Sequence, residues 1–396
     1  MSGYGAIGII LVLYLAEAGL DAGQIGILLT LTLVGDTLIS LWLTTHADRI
    51  GRRRTLVIGA VLMAAAGIAF AGSTGFLFLL VAATLGVISP SGSEVGPFLP
   101  IEQSSLTEVT PADRRTSVYA WYNLTGSIAT AAGALVAGLV VGGLRAAGWS
   151  DIDAYRVILV SYAARGLVLV PIVLSVSDAV EVPPADTSIA RRFGLHRSKG
   201  IVGRLAALFA LDAFGGGLII QSLLAFWFHE RFGLPVEVLG AIFFGANLLA
   251  AVSALAAARI AARIGLINTM VFTHLPSNIL LVLVPLMPTV ELAILVLLAR
   301  FSISQMDVPT RQSYTMAVVD PDERSAAAGV TGIARTLGAA LSPLVAAPLF
   351  AVPGLASVPF FLAGGLKIVY DLALWRAFRS RPAPEESRPT HKGVGD

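Results

Sequence analysis

Arg300, Asp307 and Arg311 stand seven and four residues apart inside one apolar stretch. On an α-helix that spacing puts all three on one face, within about 20°. Asp307 and Arg311 can pair along that face, which leaves Arg300 to meet an anionic solute or a carboxylate from another helix. Asp36 and Asp212 also lie within apolar runs. An ionised group in hydrocarbon is costly, so each needs a cavity or a partner, and a carboxylate so placed can bind a proton or a substrate. Asp36 could instead be structural, capped by Thr32, Thr37 or a neighbouring helix. Gly215-Gly216-Gly217 follows Asp212 and would let a helix bend beside a site or pack closely. Lys367 and Asp371 form an i, i+4 pair expected to neutralise each other. Ser89-Pro90-Ser91-Gly92-Ser93 interrupts another apolar run, where freed carbonyls and hydroxyls could contact a solute. Glu94, Arg165 and Arg335 are further ionisable groups in apolar surroundings.

The elements that must hold these residues follow from composition. Of 396 residues 56% are hydrophobic and 13% charged, and mean hydropathy is +0.81. Soluble domains carry roughly 25% charged residues, so a large soluble enzyme is excluded. Apolar runs of about 20 residues recur along the chain, the length needed to cross a bilayer as helices. The 24 arginines and three lysines fall mostly at helix ends on one side, which topology explains better than nucleic-acid binding. No cysteine is present, which excludes disulfides, thiolate metal sites and cysteine nucleophiles. The five histidines are scattered, and neither a His-Glu-x-x-His nor a Gly-Lys-Ser/Thr motif occurs, so no catalytic cluster, cofactor or ATP site is expected.

Hydropathy predicts twelve spans at 3–20, 25–46, 55–72, 76–103, 116–143, 155–176, 201–229, 236–262, 268–287, 290–316, 326–350 and 355–377. The first enters its apolar run within three residues and lacks a basic anchor, so a start upstream of Met1 is expected. Arg49, Arg52, Arg53, Arg54, Arg114, Arg115, Arg191, Arg192, Arg197, Lys199, Arg263 and Arg324 fall on one side, with the tail from Arg379 to Lys392. The other side offers Arg145, Arg156 and Arg231, so both termini are expected in the cytoplasm. A linker with Pro183-Pro184, at 177–200, divides a bundle over 1–176 from one over 201–377, and 378–396 forms a cytoplasmic tail.

The two halves repeat. At an offset of 209 residues, Pro100, Gln103, Ser104, Val109 and Arg115 match Pro309, Gln312, Ser313, Val318 and Arg324. At an offset of 214, Gly19-Leu20, Gly26 and Arg49-Ile50-Gly51 match Gly233-Leu234, Gly240 and Arg263-Ile264-Gly265. Duplicated halves with an even number of spans are parallel in the membrane and predict a substrate path near its midplane. Glu102 is the repeat equivalent of Arg311 and its natural partner. Glu102, Arg115, Arg311 and Arg324 are expected to form a network between the halves.

Asp48-Arg49-Ile50-Gly51-Arg52-Arg53 resembles the loop between helices 2 and 3 of the major facilitator superfamily of secondary transporters, with Thr44 in place of its leading glycine. The second half keeps Arg263-Ile264-Gly265, with Ala262 where an aspartate would stand. The resemblance implies an all-α polytopic membrane protein with twelve transmembrane helices in two pseudo-symmetric six-helix bundles. It also implies a cytoplasmic latch in which Asp48 receives hydrogen bonds near Ser325–Ala328, while Gly51 permits the tight turn. The helix-4 arginine of many proton-coupled members is missing, Ala82 standing in its place, and helix 5 lacks the antiporter proline. The expected function is alternating-access transport of a small solute, with proton-coupled efflux of a drug or metabolite placed first. Uptake of an anionic metabolite through Arg300 and Arg335 is the alternative, and a non-transporting membrane sensor a distant third. The expected partners are the solute, protons and the lipid bilayer, with the chain monomeric in a bacterial inner membrane and bound to no nucleic acid.

Overall fold

The computed structural model describes residues 1–92, 98–111, 114–177, 181, 195, 197–320 and 323–380; within these, the side chains of residues 45, 48, 49, 104, 107, 108, 115–117, 120 and 325 are outside the description. All regular structure among the described residues is helical. The helices are α1 (Ser2–Glu17), α2 (Ala22–Ile50), α3 (Arg52–Gly72), α4 (Phe76–Leu85), α5 (Phe98–Val109), α6 (Arg115–Ala146), α7 (Asp151–Leu174) and α8 (Lys199–Gly217). They continue as α9 (Gln221–Phe232), α10 (Val236–Ile264), α11 (Leu266–Leu283), α12 (Val290–Phe301), α13 (Asp307–Ala317), α14 (Arg324–Ala351) and α15 (Val358–Phe378). Nine segments among the described residues are long and apolar enough to cross a membrane, with Ser2–Glu17 and Phe76–Leu85 shorter apolar helices. Large apolar side chains on these helices remain uncovered by protein, such as Leu77 at 73% and Leu295 at 62% exposure, which suits a hydrocarbon surround.

Three expected spans are broken. The run 76–103 divides at Gly86, where α4 ends; Pro90 supplies no N–H and Gly92 turns at φ +73°. Two of the carbonyls freed there are already engaged. Tyr162 Oη donates to Val87 O at 2.6 Å and Ser222 N to Pro90 O at 3.2 Å. The run 201–229 breaks after the glycine triplet, between α8 and α9. The run 290–316 breaks between Phe301 and Asp307. Helix α13 carries a proline as its third residue, where its missing N–H has no helical partner to lose.

The repeat is visible in the backbone. Pro100 on α5 and Pro309 on α13 stand at the 209-residue offset. At the other offset, Gly19 and Gly233 have φ +85° and +64°, and Gly51 and Gly265 have φ +99° and +86°. After the latter pair, Thr55 Oγ1 donates back to Gly51 O at 2.9 Å and Thr269 Oγ1 to Gly265 O at 2.7 Å. The same turn, closed by the same hydroxyl, starts α3 and α11.

The chain forms two compact units. The first comprises Met1–Ala190, Gly217–Leu248 and Ala340–Pro359. Within it, α3 and α7 meet through small residues. A Cβ on Gly67 would stand 2.9 Å from Leu159 O, and one on Gly166 2.8 Å from Ala60 O. The second unit comprises Arg191–Gly216, Leu249–Ala339 and Phe360–Asp396. Its core includes Phe209, Met270, Val271, Tyr314, Tyr370 and Phe378, and a charged cluster lies beside this core.

Candidate functional site: a buried charge network

In the second unit α8, α11, α13, α14 and α15 bring together Asp212, His274, Asp307, Arg311, Arg335, Lys367 and Asp371. Asp212 is 4% exposed and is its hub. Lys367 Nζ donates to Asp212 Oδ1 at 2.6 Å, and Arg311 Nη1 and Arg335 Nη1 approach Oδ2 at 3.3 and 3.4 Å. Arg311 Nη1 also donates to Asp307 Oδ2 at 2.7 Å, one turn away on α13, and its guanidinium lies 5.6 Å from the Phe209 ring. Buried charges persist in apolar surroundings only when paired in this way.

A second carboxylate, Asp371, is fully buried. It hydrogen-bonds His274 Nδ1 at 2.8 Å through Oδ1 and accepts from Asn278 Nδ2 at 2.9 Å through Oδ2. His274 Nε2 points to Asp212 Oδ1 at 3.8 Å, so one imidazole stands between two carboxylates. Lys367 therefore bonds Asp212 on α8, rather than Asp371 one turn along its own helix, because Asp371 already has two partners. The glycines after Asp212 serve this approach: a Cβ at Gly215 would stand 3.1 Å from Lys367 Cγ. Gly215 thus gives the lysine stem its passage to the aspartate.

Arg300, near the end of α12, differs from its neighbours. Its guanidinium lies 4.9 Å from the Phe301 ring, its Nε is buried with no hydrogen-bond partner, and it makes no ion pair among the described residues. The structure thus pairs Asp307 with Arg311 and joins both to Asp212, while Arg300 makes no bond to them.

Asp36 lies apart, half-buried on α2 in the first unit, and accepts from Ser40 Oγ at 3.4 Å. Thr32 and Thr37 do not cap it; their hydroxyls donate to Leu28 O and Leu33 O at 2.7 Å. Glu102 accepts from Tyr122 Oη, and Arg324 Nε donates to Met316 O at 2.9 Å. The side chains of Asp48, Arg49 and Arg115 and all of Glu94 lie outside the described residues, as does most of the linker.

What the motif loop does show is a partner that sequence reasoning did not single out. Glu181 accepts from the backbone N–H groups of Arg52 and Arg53 at 2.8 and 3.0 Å, and Arg53 Nη2 donates to Leu174 O at 2.7 Å. Glu323 does the same for Arg197 and Ser198 N–H, at 2.8 Å each, where α8 begins. A carboxylate at a helix start satisfies orphan donors and meets the positive dipole end. Sequence reasoning also passed over His274 and Asn278. Their signal was polar groups four apart in an apolar span.

Comparisons with known proteins agree with this architecture. The chain is similar to an uncharacterized membrane protein of Saccharomyces cerevisiae, 30% identical over 402 residues that cover 94% of this chain and 90% of that protein. It shares its fold with a D-xylose–proton symporter (TM-score 0.74, 15% identity, 98% of this chain and 95% of that one covered). It likewise shares it with the nucleoside transporter NupG (TM-score 0.72, 15% identity, 96% of each chain). A bacterial homologue of the human lysosomal transporter Spinster is also similar (TM-score 0.70, 15% identity, 95% and 92% covered). The sequence profile of the Major Facilitator Superfamily matches residues 1–343 and 205–394, so the chain is an integral membrane protein that belongs to the major facilitator superfamily.

Proposed function

We propose that the protein is a secondary active transporter of a small solute, working by alternating access and coupled to protons. The observation that carries the coupling is Asp212, a buried carboxylate holding Lys367, Arg311 and Arg335 from three other helices. A proton and these cations compete for the one carboxylate, so its protonation and this packing of α13, α14 and α15 on α8 exclude one another. A changed protonation state thereby becomes a changed packing of helices. The reading is of a carrier and not of an enzyme, and it treats 1–176 and 201–377 as the duplicated halves, with both termini in the cytoplasm.

Proton-coupled efflux of a drug or metabolite, the first expectation from the sequence, takes its direction from a path that is largely apolar apart from Asp36 and Asp212. The charged side chains around Asp212 remove that support, so direction is left out of the proposal. A bacterial inner membrane likewise draws no support from a 30%-identical relative that is fungal. The reading needs only a cellular membrane whose cytoplasmic side meets the arginine loops.

The test is reconstitution in liposomes with an imposed pH gradient and a panel of solutes. Gradient-driven flux of at least one solute is expected, falling to background in Asp212→Asn and persisting in part in Asp36→Asn. Flux that ignores the gradient and survives Asp212→Asn would overturn the coupling.

A further inference from the structure

Charge counting on the network points past coupling to the cargo. Resting on the transporter reading above, we infer that the solute is an organic anion whose carboxylate docks on the guanidinium groups of Arg335 and Arg300. Four cations, Arg300, Arg311, Arg335 and Lys367, belong to this region, against the carboxylates of Asp212, Asp307 and Asp371. With His274 neutral the region holds one surplus positive charge, and with His274 protonated it holds two. Asp371 is hydrogen-bonded to His274 and Asn278, so among the described residues Asp212 and Asp307 accept the bonds of Lys367, Arg311 and Arg335, and Arg300 is left over. A surplus cation in a low-dielectric surround is costly, and a bound anion relieves that cost.

The geometry says where the anion goes. The side chains of Asp212, Arg311 and Lys367 are 5%, 7% and 9% exposed, while that of Arg335 is 34% exposed. Arg335 holds Asp212 by one 3.4 Å contact, on an oxygen it shares with Arg311, and its other N–H groups have no partner among the described residues. Arg300 brings the unpartnered, buried Nε already described. Arg300 stands seven residues before Asp307, across the short break between α12 and α13, and Arg335 bonds Asp212, which Arg311 joins to Asp307. A planar fork of N–H donors matches the two oxygens of a carboxylate. A neutral solute would leave both the surplus charge and the idle donors unanswered.

The experiment uses the purified full chain in lipid nanodiscs, with thermal unfolding followed by intrinsic fluorescence at constant ionic strength. The probes are sodium benzoate and disodium succinate, against benzamide and succinamide. At least one carboxylate should raise the unfolding midpoint in a saturable way, and the amides should not. Arg335→Gln and Arg300→Gln should each weaken the apparent affinity about ten-fold or more. Arg335→Lys keeps the charge and loses the fork, so it should fall between wild type and Arg335→Gln; it also serves if Arg335→Gln fails to fold. Equal stabilisation by amides and carboxylates, no response to any of the four probes, or wild-type affinity in both glutamine variants would overturn the inference. Gradient-driven flux of a neutral solute alongside no carboxylate response would overturn it and leave the transporter reading intact. Carboxylate binding with no flux of any solute would do the reverse.

Discussion

Asp212 is one carboxylate with three cationic neighbours, and such an arrangement makes unequal demands on its members. Removing one side of a buried pair leaves the other uncompensated, at a cost of about 3–5 kcal/mol. Asp212→Asn should therefore destabilise the protein by that order, because Lys367 and Arg335 each lose their bonded carboxylate. Asp371→Asn should cost less, about 1–3 kcal/mol, since an amide still accepts one hydrogen bond from His274 or Asn278. Pairing Asp212→Asn with Lys367→Met should recover part of the loss by removing the stranded ammonium. Thermal unfolding of the three variants in one bilayer checks the order, and equal midpoints for Asp212→Asn and Asp371→Asn would contradict it. The members of this cluster were only partly legible in the sequence. Asp307 and Arg311 could be seen because they share one helix and a fixed period, whereas Arg300, expected on the same face, stands on α12 across the break before α13. Lys367 was assigned to Asp371 because spacing reveals partners along a helix but not across helices. His274 drew no attention as one of five scattered histidines, and only packing places it between two carboxylates.

At the scale of helices, the sequence was read well where a local rule governs and poorly where contacts decide. Span positions followed from hydropathy, and the glycine turns before α3 and α11 followed from the repeat of Arg-Ile-Gly. The proline and glycine at 90 and 92 announced a break, as the glycine triplet did less directly. The break between Phe301 and Asp307 had no such mark, since Ser302 and Ser304 favour turns far less sharply than proline or glycine. Glycines within helices were equally mute, because the same residue marks either a close approach or nothing. Helix α6 contains both cases. A Cβ on Gly133 would overlap the carbonyl oxygen of Ser2 on α1, whereas Gly143 has nothing within 4 Å. Gly133→Ala should push α1 off α6 and cost about 1–3 kcal/mol. Gly143→Ala should be neutral or stabilise by about 0.5–1 kcal/mol through helix propensity. Unfolding midpoints of the two variants, which differ only in which face of one helix gains a methyl group, separate packing from propensity. A Gly133→Ala midpoint at or above wild type would mean that α1 and α6 are not in contact.

At the scale of the molecule, the expected orientation rests on arginine counts in loops, and the composition offers a direct way to measure it. The chain has no cysteine, so any single introduced thiol is the only one to react. Two exposed positions sit on loops that the charge bias assigns to opposite sides. Arg54 opens α3 beside the motif loop, in the arginine-rich connection. Trp149, 50% exposed, lies between α6 and α7, in a turn where Arg145 is neutralised by Asp151. A neutralised arginine adds little to orientation, which sharpens the contrast between the two loops beyond a bare count of cations. In intact cells, a membrane-impermeant maleimide should therefore label Trp149→Cys and leave Arg54→Cys unlabelled until the membrane is permeabilised. This pattern holds for a protein of the plasma membrane; for one in an internal membrane, sealed vesicles of known sidedness replace the cells. The reverse pattern would invert the orientation and put the duplicated Arg-Ile-Gly turns outside. Labelling of both positions from one side would mean that an odd number of crossings does not separate residues 54 and 149, against the run of α3, the broken fourth span and α6 between them.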